Sequence, residues 1–206
     1  MQVRRAIFLA APIAVAFSTS ASAAVVASAV LPLNVRAGPG PQYPVVASIP
    51  ARGKATIIGC IQGSLWCQVN VAGKQAWAYS KYLTATLSGR SLVVAERLAD
   101  IPAVTYEEPV TTVGSAIAQP VVTGTLVDRP ASAAPLVISP PETVRDYVIG
   151  HPISPVYLNG EVVVGAEVPR EVALAPVPGY QYQYAYVNGV PVLVEPQTRE
   201  VTYVYQ

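Results

Sequence analysis

The sequence has few of the side chains that usually carry enzyme chemistry. Its 206 residues include one histidine, two cysteines and one methionine, and 12% of them are charged. Two cysteines and one distant histidine are too few ligands for a closed zinc site. No serine lies in a nucleophile-elbow pattern, and no glycine-rich phosphate loop is present. These absences argue against an enzyme and predict neither catalytic residues, nor a metal, nor a cofactor.

Charge of one sign is also missing. Thirteen basic and 12 acidic side chains leave a formal net charge of +1. A nearly neutral chain without a basic stripe has no electrostatic footprint for nucleic acid or anionic lipid, so we expect no nucleic-acid partner. What the chain has instead is 20 prolines and 14 glycines, which favour strands, turns and extended segments over long helices.

The first 23 residues have the parts of a secretory signal peptide. Arg4 and Arg5 precede an uncharged apolar run that ends at Phe17, and a small-residue stretch closes at Ala23. We predict cleavage after Ala23, with Ala24 as the fallback position. The alternative is a membrane anchor, which needs about 20 apolar residues, more than this run offers. The protein is therefore expected to be exported, periplasmic or extracellular, with no membrane span after cleavage.

Residues 24–86 carry short β-type runs separated by turn residues, and we predict a small antiparallel barrel. The predicted strands are Leu33–Val35, Val45–Ile49, Ala55–Cys60, Trp66–Val71 and Ala76–Tyr79. Residues 87–138 follow as a second region. They are predicted to form edge strands at Leu92–Ala95 and Val104–Tyr106 and a Pro-, Ala- and Val-rich linker from Pro109 to Pro135.

Residues 139–206 are predicted to form a small α+β domain, which makes the whole chain mainly β. Ser139, Pro140 and Glu142 match a capping box, and we expect a helix from there to Ile149 with Gly150 as its stop. His151 then lies at the helix end, where an interaction with the helix C-terminus is favoured over catalysis.

Two Asn-Gly pairs in this region each predict a type I′ hairpin, since both turn residues must tolerate positive φ. They are Asn159-Gly160 and Asn188-Gly189. The phrases Tyr157-Leu-Asn-Gly and Tyr186-Val-Asn-Gly are typical either of an internal repeat or of shared hairpin chemistry.

The carboxy-terminal region is rich in tyrosine and carries isolated carboxylates. A strand would place four alternating rings on one face, and cross-strand packing is favoured there over binding of a saccharide or a partner protein. These rings belong to Tyr180, Tyr182, Tyr184 and Tyr186. The carboxylates fall on turns and strand ends and are interpreted as solvated surface. They are Glu161, Glu167, Glu171 and Glu195.

Several motifs stand in a fixed order in the first region. They are Leu33-Asn34-Val35-Arg36-Ala37-Gly38-Pro39, Tyr43-Pro44-Val45, Trp66-x-x-Val69, and Ala76-Trp77-Ala78 followed by Tyr82-Leu83. Their order and spacing resemble a bacterial SH3 domain, with Ala76 at a position where that family usually has glycine. The resemblance implies recognition without catalysis, because many such domains bind peptidoglycan or its stem peptides and others bind proteins.

The carboxy-terminal motifs also resemble a known family. They are Glu142-x-x-Arg145-x-Tyr147, Gly165-Ala166-Glu167-Val168-Pro169, and Asn188-Gly189 leading to Val194-Glu195-Pro196-Gln197-Thr198-Arg199. Residues 141–206 are similar to a bacterial domain of unknown function often found in exported proteins. This resemblance implies a fold and no activity.

Cys60 and Cys67 lie at the base of a predicted hairpin, and a subset of the exported SH3-like proteins carries cysteines in the same Gly-Cys and Trp-Cys contexts. In an oxidising compartment the two should pair. A redox-active pair usually has two intervening residues near a helix start, which is not the pattern here. We therefore expect a structural disulfide.

The best ligand-binding candidates are aromatic. Period-2 alternation places Cys67 and Val69 on one face of their strand and Trp66 with Gln68 and Asn70 on the other. An aromatic ring on a polar face is an informative kind of exposure. The alternative is that the ring caps the barrel core.

Trp77 and Tyr79 share a face one strand along, and together with Trp66 they would form an open aromatic groove for a peptide or a glycan. For Trp77 the core-capping alternative is favoured. By analogy with other SH3-like sites, Tyr43 and Arg36 would line the same groove.

The leading hypothesis is thus an exported, non-catalytic protein whose SH3-like barrel recognises peptidoglycan or its peptides. The alternatives are an envelope protein–protein scaffold and, below both, a cell-wall hydrolase.

Overall fold

Runs of Val, Ile, Ala and Thr between Gly, Pro and Asn turns form strands along most of the first region. The structure is a computed structural model that describes residues 24–87, 89–107, 122–127 and 137–205. The predicted signal peptide lies outside the described residues. The first eight strands are β1 (Val25–Ala29), β2 (Leu33–Arg36), β3 (Val45–Ile49), β4 (Lys54–Cys60), β5 (Trp66–Val71), β6 (Lys74–Tyr79), β7 (Leu83–Leu87) and β8 (Arg90–Val93).

These strands form one antiparallel sheet in the order β3-β2-β6-β5-β4-β1-β7-β8. The mainly β class is confirmed, but the predicted closed barrel is not found. Among the described residues β3 pairs only with β2 and β8 only with β7, so they form the two edges. The sequence patterns missed β1, which follows directly on the predicted cleavage site and lies in the middle of the sheet between β4 and β7.

The predicted disulfide is confirmed. Cys60 and Cys67 are direct partners in the β4–β5 ladder and are bonded through their sulfur atoms. Both cysteines are buried in the core of the sheet. The bond therefore closes the hairpin between β4 and β5 from inside.

Beyond β8 the chain turns back along the end of β4. Residues 94–100 form a 3-10 helix, and residues 101–107 then run beside Cys60. The N–H of Cys60 donates to the carbonyl of Pro102 at 2.9 Å, and the N–H of Val104 donates to the carbonyl of Cys60 at 3.0 Å. The first predicted edge strand thus overlaps β8, whereas the second is reduced to a single bridge at Ala103.

The remaining elements are α1 (Glu142–Gly150), β9 (Val122–Thr125), β10 (Tyr157–Asn159), β11 (Ala175–Pro176), β12 (Gln183–Val187), β13 (Val190–Val194) and β14 (Val201–Val204). Strands β11 to β14 form a four-stranded antiparallel sheet in chain order, and β9 pairs with β10 in parallel. Strand β9 falls inside the predicted linker. Its partner strand lies more than 30 residues away, so no local sequence pattern predicts this pairing.

Helix α1 begins later than the capping box predicts. Pro141 is the N-cap, without a side-chain cap, and its carbonyl accepts hydrogen bonds from the N–H groups of Val144 and Arg145. The reason is the Pro-Pro pair, because a residue that precedes proline is held out of the helical region. Pro140 therefore cannot be the first helical residue, and Ser139 lies too far upstream to cap.

The end of α1 agrees with the prediction for His151. The helix runs through Gly150, one residue further than expected. The Nδ1 atom of His151 lies 2.8 Å from the carbonyl oxygen of Tyr147, and the two rings stack with centroids 4.1 Å apart. His151 thus interacts with the last turn of the helix.

Only one of the two Asn-Gly pairs forms a hairpin. Asn188 and Gly189 both have positive φ and join β12 to β13, as predicted. At Asn159-Gly160 only the glycine has positive φ, and the chain does not fold back. Residues 161–163 enter the core instead and are fully buried, so tertiary burial overrides the local turn signal and the hairpin repeat is absent.

The four alternating tyrosines pack as the favoured interpretation predicts. All four rings belong to the cluster between α1 and the four-stranded sheet. The hydroxyl of Tyr184 donates to the carbonyl of His151 at 2.8 Å, and that of Tyr186 donates to the carbonyl of Val148 at 3.1 Å. These rings tie the sheet to the helix.

The two halves of the chain share one hydrophobic core. The cluster that contains Leu33, Val35 and Trp77 continues without a break into Val163 and Val187 of the carboxy-terminal half. Within the described ranges, no helix has the length and apolar character needed to cross a bilayer.

Candidate functional site

The predicted aromatic groove is closed. Trp66 and Trp77 are each 4% exposed and Tyr79 is 6% exposed. Arg36 is completely buried. Of the five predicted ligand-binding residues, only Tyr43 is therefore partly accessible. The expectation of an open aromatic groove is therefore wrong, and both tryptophans lie in the core, which is the alternative favoured for Trp77.

The alternation rule failed here because both faces of the sheet are covered. Trp66 packs edge-on against Tyr79, with ring centroids 5.3 Å apart. Trp77 packs edge-on against Tyr106 at 5.4 Å, and Tyr106 in turn contacts Tyr43 at 5.8 Å. Tyr106 belongs to the returning segment 101–107, part of which was predicted as an edge strand, but no sequence pattern places its ring against Trp77.

Strand β2 also has both faces buried. All four of its residues are inaccessible, including the polar side chains of Asn34 and Arg36. A buried guanidinium is costly unless it is paired and hydrogen-bonded. The buried guanidinium of Arg36 therefore requires a counter-charge from another part of the chain.

That partner is Glu161. The Nε atom of Arg36 donates to Oε2 of Glu161 at 2.5 Å, and Nη2 donates to Oε1 at 2.8 Å. Asn34 donates to the same Oε1 from its amide nitrogen at 3.1 Å. Neither charged side chain has any solvent exposure. The interpretation of Glu161 as solvated surface is wrong, whereas Glu167 and Glu171 are exposed as expected.

The third nitrogen of Arg36 organises the surrounding backbone. Nη1 donates to the carbonyl oxygens of Pro41, Tyr43 and Asn188, at 3.0, 2.7 and 3.0 Å. The first two belong to the Gly-Pro loop after β2, and the third belongs to the β12–β13 turn. One guanidinium therefore fixes a loop of the first region, the turn between β12 and β13 and the segment after β10.

Comparison with known families gives two matches. Residues 31–84, which contain the buried β2 and the aromatic strands, match the bacterial SH3 domain family. This part of the chain is similar to a bacterial SH3 domain and is called the SH3 domain here. Residues 147–206 match a domain of unknown function, DUF1236. Neither is an enzyme family, and the SH3 domain indicates a binding role. No curated protein matches the chain.

Both resemblances drawn from the motifs are thus confirmed. In this chain, however, the SH3 residues Arg36 and Trp77 contact other parts of the same molecule, namely Glu161 and Tyr106. The disulfide and the SH3 domain fit an exported protein.

A cleft of about 720 Å³ lies outside the SH3 domain, between the β9–β10 pair and residues 169–175. Its walls are mainly aliphatic. They are formed by Thr123, Gly124, Ile153, Ser154, Val156, Leu158, Pro169, Glu171, Val172, Ala173, Leu174 and Ala175. The sequence reasoning missed this site, since β9 and residues 169–175 meet only through the tertiary fold.

Arg199 holds one wall of the cleft in place. Its Nη2 donates to the carbonyl oxygens of Pro169 and Val172 at 2.6 Å each, and its Nε donates to that of Val168 at 3.2 Å. Arg199 itself has a positive φ of 64° at the end of a turn. The second and third of the carboxy-terminal motifs quoted above therefore meet in space, and Arg199 positions the segment that lines the cleft.

Glu195 shapes the turn that presents Arg199. Its Oε2 accepts hydrogen bonds from the N–H groups of Thr198 and Gln197, at 2.6 and 2.8 Å. These bonds, above all the one from Thr198, lower the pKa of Glu195 below its ordinary value. The carboxylate thus acts within its own turn.

Proposed function

We propose that this is an exported, non-catalytic binding protein of the bacterial envelope and that its cleft takes an extended, apolar segment of another envelope protein. The observation that carries the proposal is the contrast between the two candidate sites. The aromatic site of the SH3 domain is filled by the chain itself, whereas the cleft beside β9 and β10 has an aliphatic lining of peptide-binding size.

The chemistry of the cleft favours a polypeptide over a glycan. Saccharide sites typically offer aromatic rings for stacking, whereas the cleft is lined by Val, Leu, Ile, Ala and Pro with polar groups at Thr123, Ser154 and Glu171. Among the described residues β9 pairs only with β10. Directly beyond β9, Val127 is bridged to Glu167, and the outer edge of β9 before that bridge offers backbone groups to which an added strand can bind.

Recognition of peptidoglycan or its peptides, the leading hypothesis from the sequence, depends on exposed aromatic residues in the SH3 domain. Because Trp66 and Trp77 are buried, the geometry supports the protein–protein alternative better. The disulfide in the SH3 core supports an oxidising compartment for either activity.

The test compares two matched substitutions. Ala173→Glu adds a charge to the lining of the cleft, and Ala51→Glu adds the same charge to an exposed turn of the SH3 domain. Envelope proteins cross-linked to the mature protein are identified by mass spectrometry, purified and titrated against each form by calorimetry. We expect Ala173→Glu to weaken binding about tenfold or more and Ala51→Glu to leave it unchanged.

Co-sedimentation with purified sacculi separates the two ligand classes. The proposal predicts no sedimentation above that of an unrelated protein. Sedimentation that Ala173→Glu does not reduce would instead support the peptidoglycan hypothesis and contradict ours.

A further inference from the structure

The segment 101–107, here called the strap, binds the SH3 domain as a short extended peptide would. Its backbone pairs with Cys60 through two hydrogen bonds, from Cys60 to Pro102 and from Val104 to Cys60. Strand β1 leaves this position open to the strap, because β1 begins at Val25, opposite Ile57. The strap thus takes the place beside the end of β4 that a neighbouring strand would occupy.

Ile101, at the start of the strap, is buried in the core, and from Ala103 onward the side chains of the strap alternate between the domain and the solvent. Val104 and Tyr106 are half-buried, whereas Ala103, Thr105 and Glu107 are exposed. This period of two is the pattern by which an extended peptide reads a surface. The two inward positions therefore carry the recognition.

The SH3 domain has a matching feature for each inward side chain. Val104 lies over Gly59, where an added Cβ atom would overlap a methyl group of Val104 and lie 2.7 Å from the carbonyl oxygen of Pro102. Tyr106 lies against Trp77 and Tyr43 at angles of 83° and 81°, the edge-to-face geometry that aromatic pairs prefer. The space left by the missing side chain at Gly59 and the rings of Trp77 and Tyr43 together form the site that holds the strap.

We propose that this surface of the SH3 domain is a binding site for extended peptides that carry an aliphatic residue and, two positions later, an aromatic residue, and that the strap occupies it in cis. A strap joined to the domain by a short connection acts at an effective concentration on the order of millimolar. A partner peptide must therefore displace the strap, and the native protein binds such peptides weakly. The site shares no residue with the cleft of the proposed function.

The probe is a labelled synthetic peptide with the sequence of residues 101–107, Ile-Pro-Ala-Val-Thr-Tyr-Glu. It is titrated by fluorescence anisotropy against the full mature protein and against the Val104→Ala/Tyr106→Ala variant, which keeps the buried Ile101 and loses the two half-buried side chains of the strap. We expect the variant to bind the peptide about tenfold or more tightly than the native protein.

Two protein variants and one peptide variant tie this gain in affinity to the site. Gly59→Ala, added to the strap variant, should abolish the gain, because its Cβ atom occupies the place of the aliphatic side chain. Gly150→Ala should have no effect, since a Cβ atom there meets no other atom within 4 Å. A peptide with alanine in place of the tyrosine should lose about tenfold in affinity for the strap variant. Equal affinity of the native and strap-variant proteins, or a gain that survives Gly59→Ala, would overturn the proposal.

Hydrogen exchange of the native protein gives a test that requires no variant. The amide of Val104, bonded to Cys60, should exchange through local opening of the strap, at a lower free energy than the buried amide of Ser80, which donates to Leu65 at 2.8 Å. Exchange of both amides only by global unfolding would mean that the strap is a fixed part of the core and would refute displacement.

Discussion

Arg36 and Glu161 lie 125 positions apart and form a bidentate ion pair in which neither side chain is exposed. The arginine belongs to the SH3 domain, and the glutamate follows β10 in the carboxy-terminal half. Together with the shared hydrophobic core, this pair makes the SH3 domain dependent on a segment far from it in sequence.

Removing the charge of Glu161 should be strongly destabilising. Glu161→Gln keeps the shape of the side chain but leaves the buried guanidinium of Arg36 without a counter-charge. We expect a loss of about 3–5 kcal/mol in the free energy of unfolding, measured by urea denaturation. The matched change Glu167→Gln, at an exposed position, should alter it by less than about 0.5 kcal/mol. Equal effects of the two substitutions would contradict the role of the pair.

The two halves should unfold together. Both tryptophans lie in the SH3 domain, whereas eight of the 12 tyrosines lie from Tyr147 onward, so tryptophan fluorescence and the near-ultraviolet tyrosine signal report on different halves. We expect coincident urea midpoints, because the core is continuous. Two separated transitions would show that the halves are independent.

The hydroxyl of Tyr205 is buried without a hydrogen-bond partner in the described part of the chain, and burial raises its pKa to about 12. A tyrosine in the unfolded chain ionises near pH 10, so the unfolded state loses its proton first. The stability that depends on neutral Tyr205 is therefore complete below about pH 10 and is lost as the pH rises toward 12.

Tyr205→Phe should consequently reduce the loss of stability above about pH 10. At neutral pH it should leave the free energy of unfolding unchanged or raise it by up to about 1 kcal/mol, since an unsatisfied buried hydroxyl is removed. Tyr184→Phe is the matched control, because its hydroxyl donates to His151 and its removal should cost about 1 kcal/mol. Urea titrations at neutral pH and at about pH 11 measure both effects. A larger loss in Tyr205→Phe than in Tyr184→Phe would be inconsistent with an unpaired hydroxyl.

The disulfide should raise the free energy of unfolding by an amount set by the short loop that it closes. Cys60 and Cys67 enclose eight residues, for which the chain-entropy estimate is about 2.5 kcal/mol. The double substitution of both cysteines by alanine should lower the free energy of unfolding by about this amount, and chemical reduction of the native protein should do the same. Detection of free thiols in the unfolded, unreduced protein would argue against the bond.

We expect the mature protein to begin at Ala24, as cleavage of the predicted signal peptide implies. Strand β1 starts at Val25 and pairs with strands on both sides, so a cut after Ala23 leaves the centre of the sheet intact. The intact mass of protein recovered from the periplasm or medium measures this. Ala23→Leu should block processing, whereas Ser22→Leu should not, because the peptidase requires a small residue at the first position but not at the second. An amino terminus beyond Ala27 would contradict the prediction.

Local chemistry predicted the local features of this fold. The strands from Leu33 to Tyr79, the Asn188-Gly189 hairpin and the disulfide each follow from short-range patterns, and the structure contains all of them. The helix start at Glu142 also has a local cause. Pro141 holds the residue before it, Pro140, out of the helical region, and the capping-box pattern does not include this restriction.

The errors share a different cause, which is contact between distant segments. The contact of Trp77 with Tyr106 was not predicted because Tyr106 is 29 residues further along, and Glu161 was expected in solvent because Arg36 is 125 residues away. The parallel pairing of β9 with β10 is of the same kind. Alternation shows that a strand has two faces, but it cannot show that later parts of the chain cover both.

The distance along the chain between Arg36 and Glu161 also sets an order of events during synthesis. In a chain made amino end first, the guanidinium is present well before the carboxylate that neutralises it. Until Glu161 is present, Arg36 cannot take its buried position without leaving its charge unpaired. A chain interrupted before residue 161 therefore lacks the carboxylate that neutralises Arg36, and its SH3 domain cannot bury that guanidinium as a paired charge.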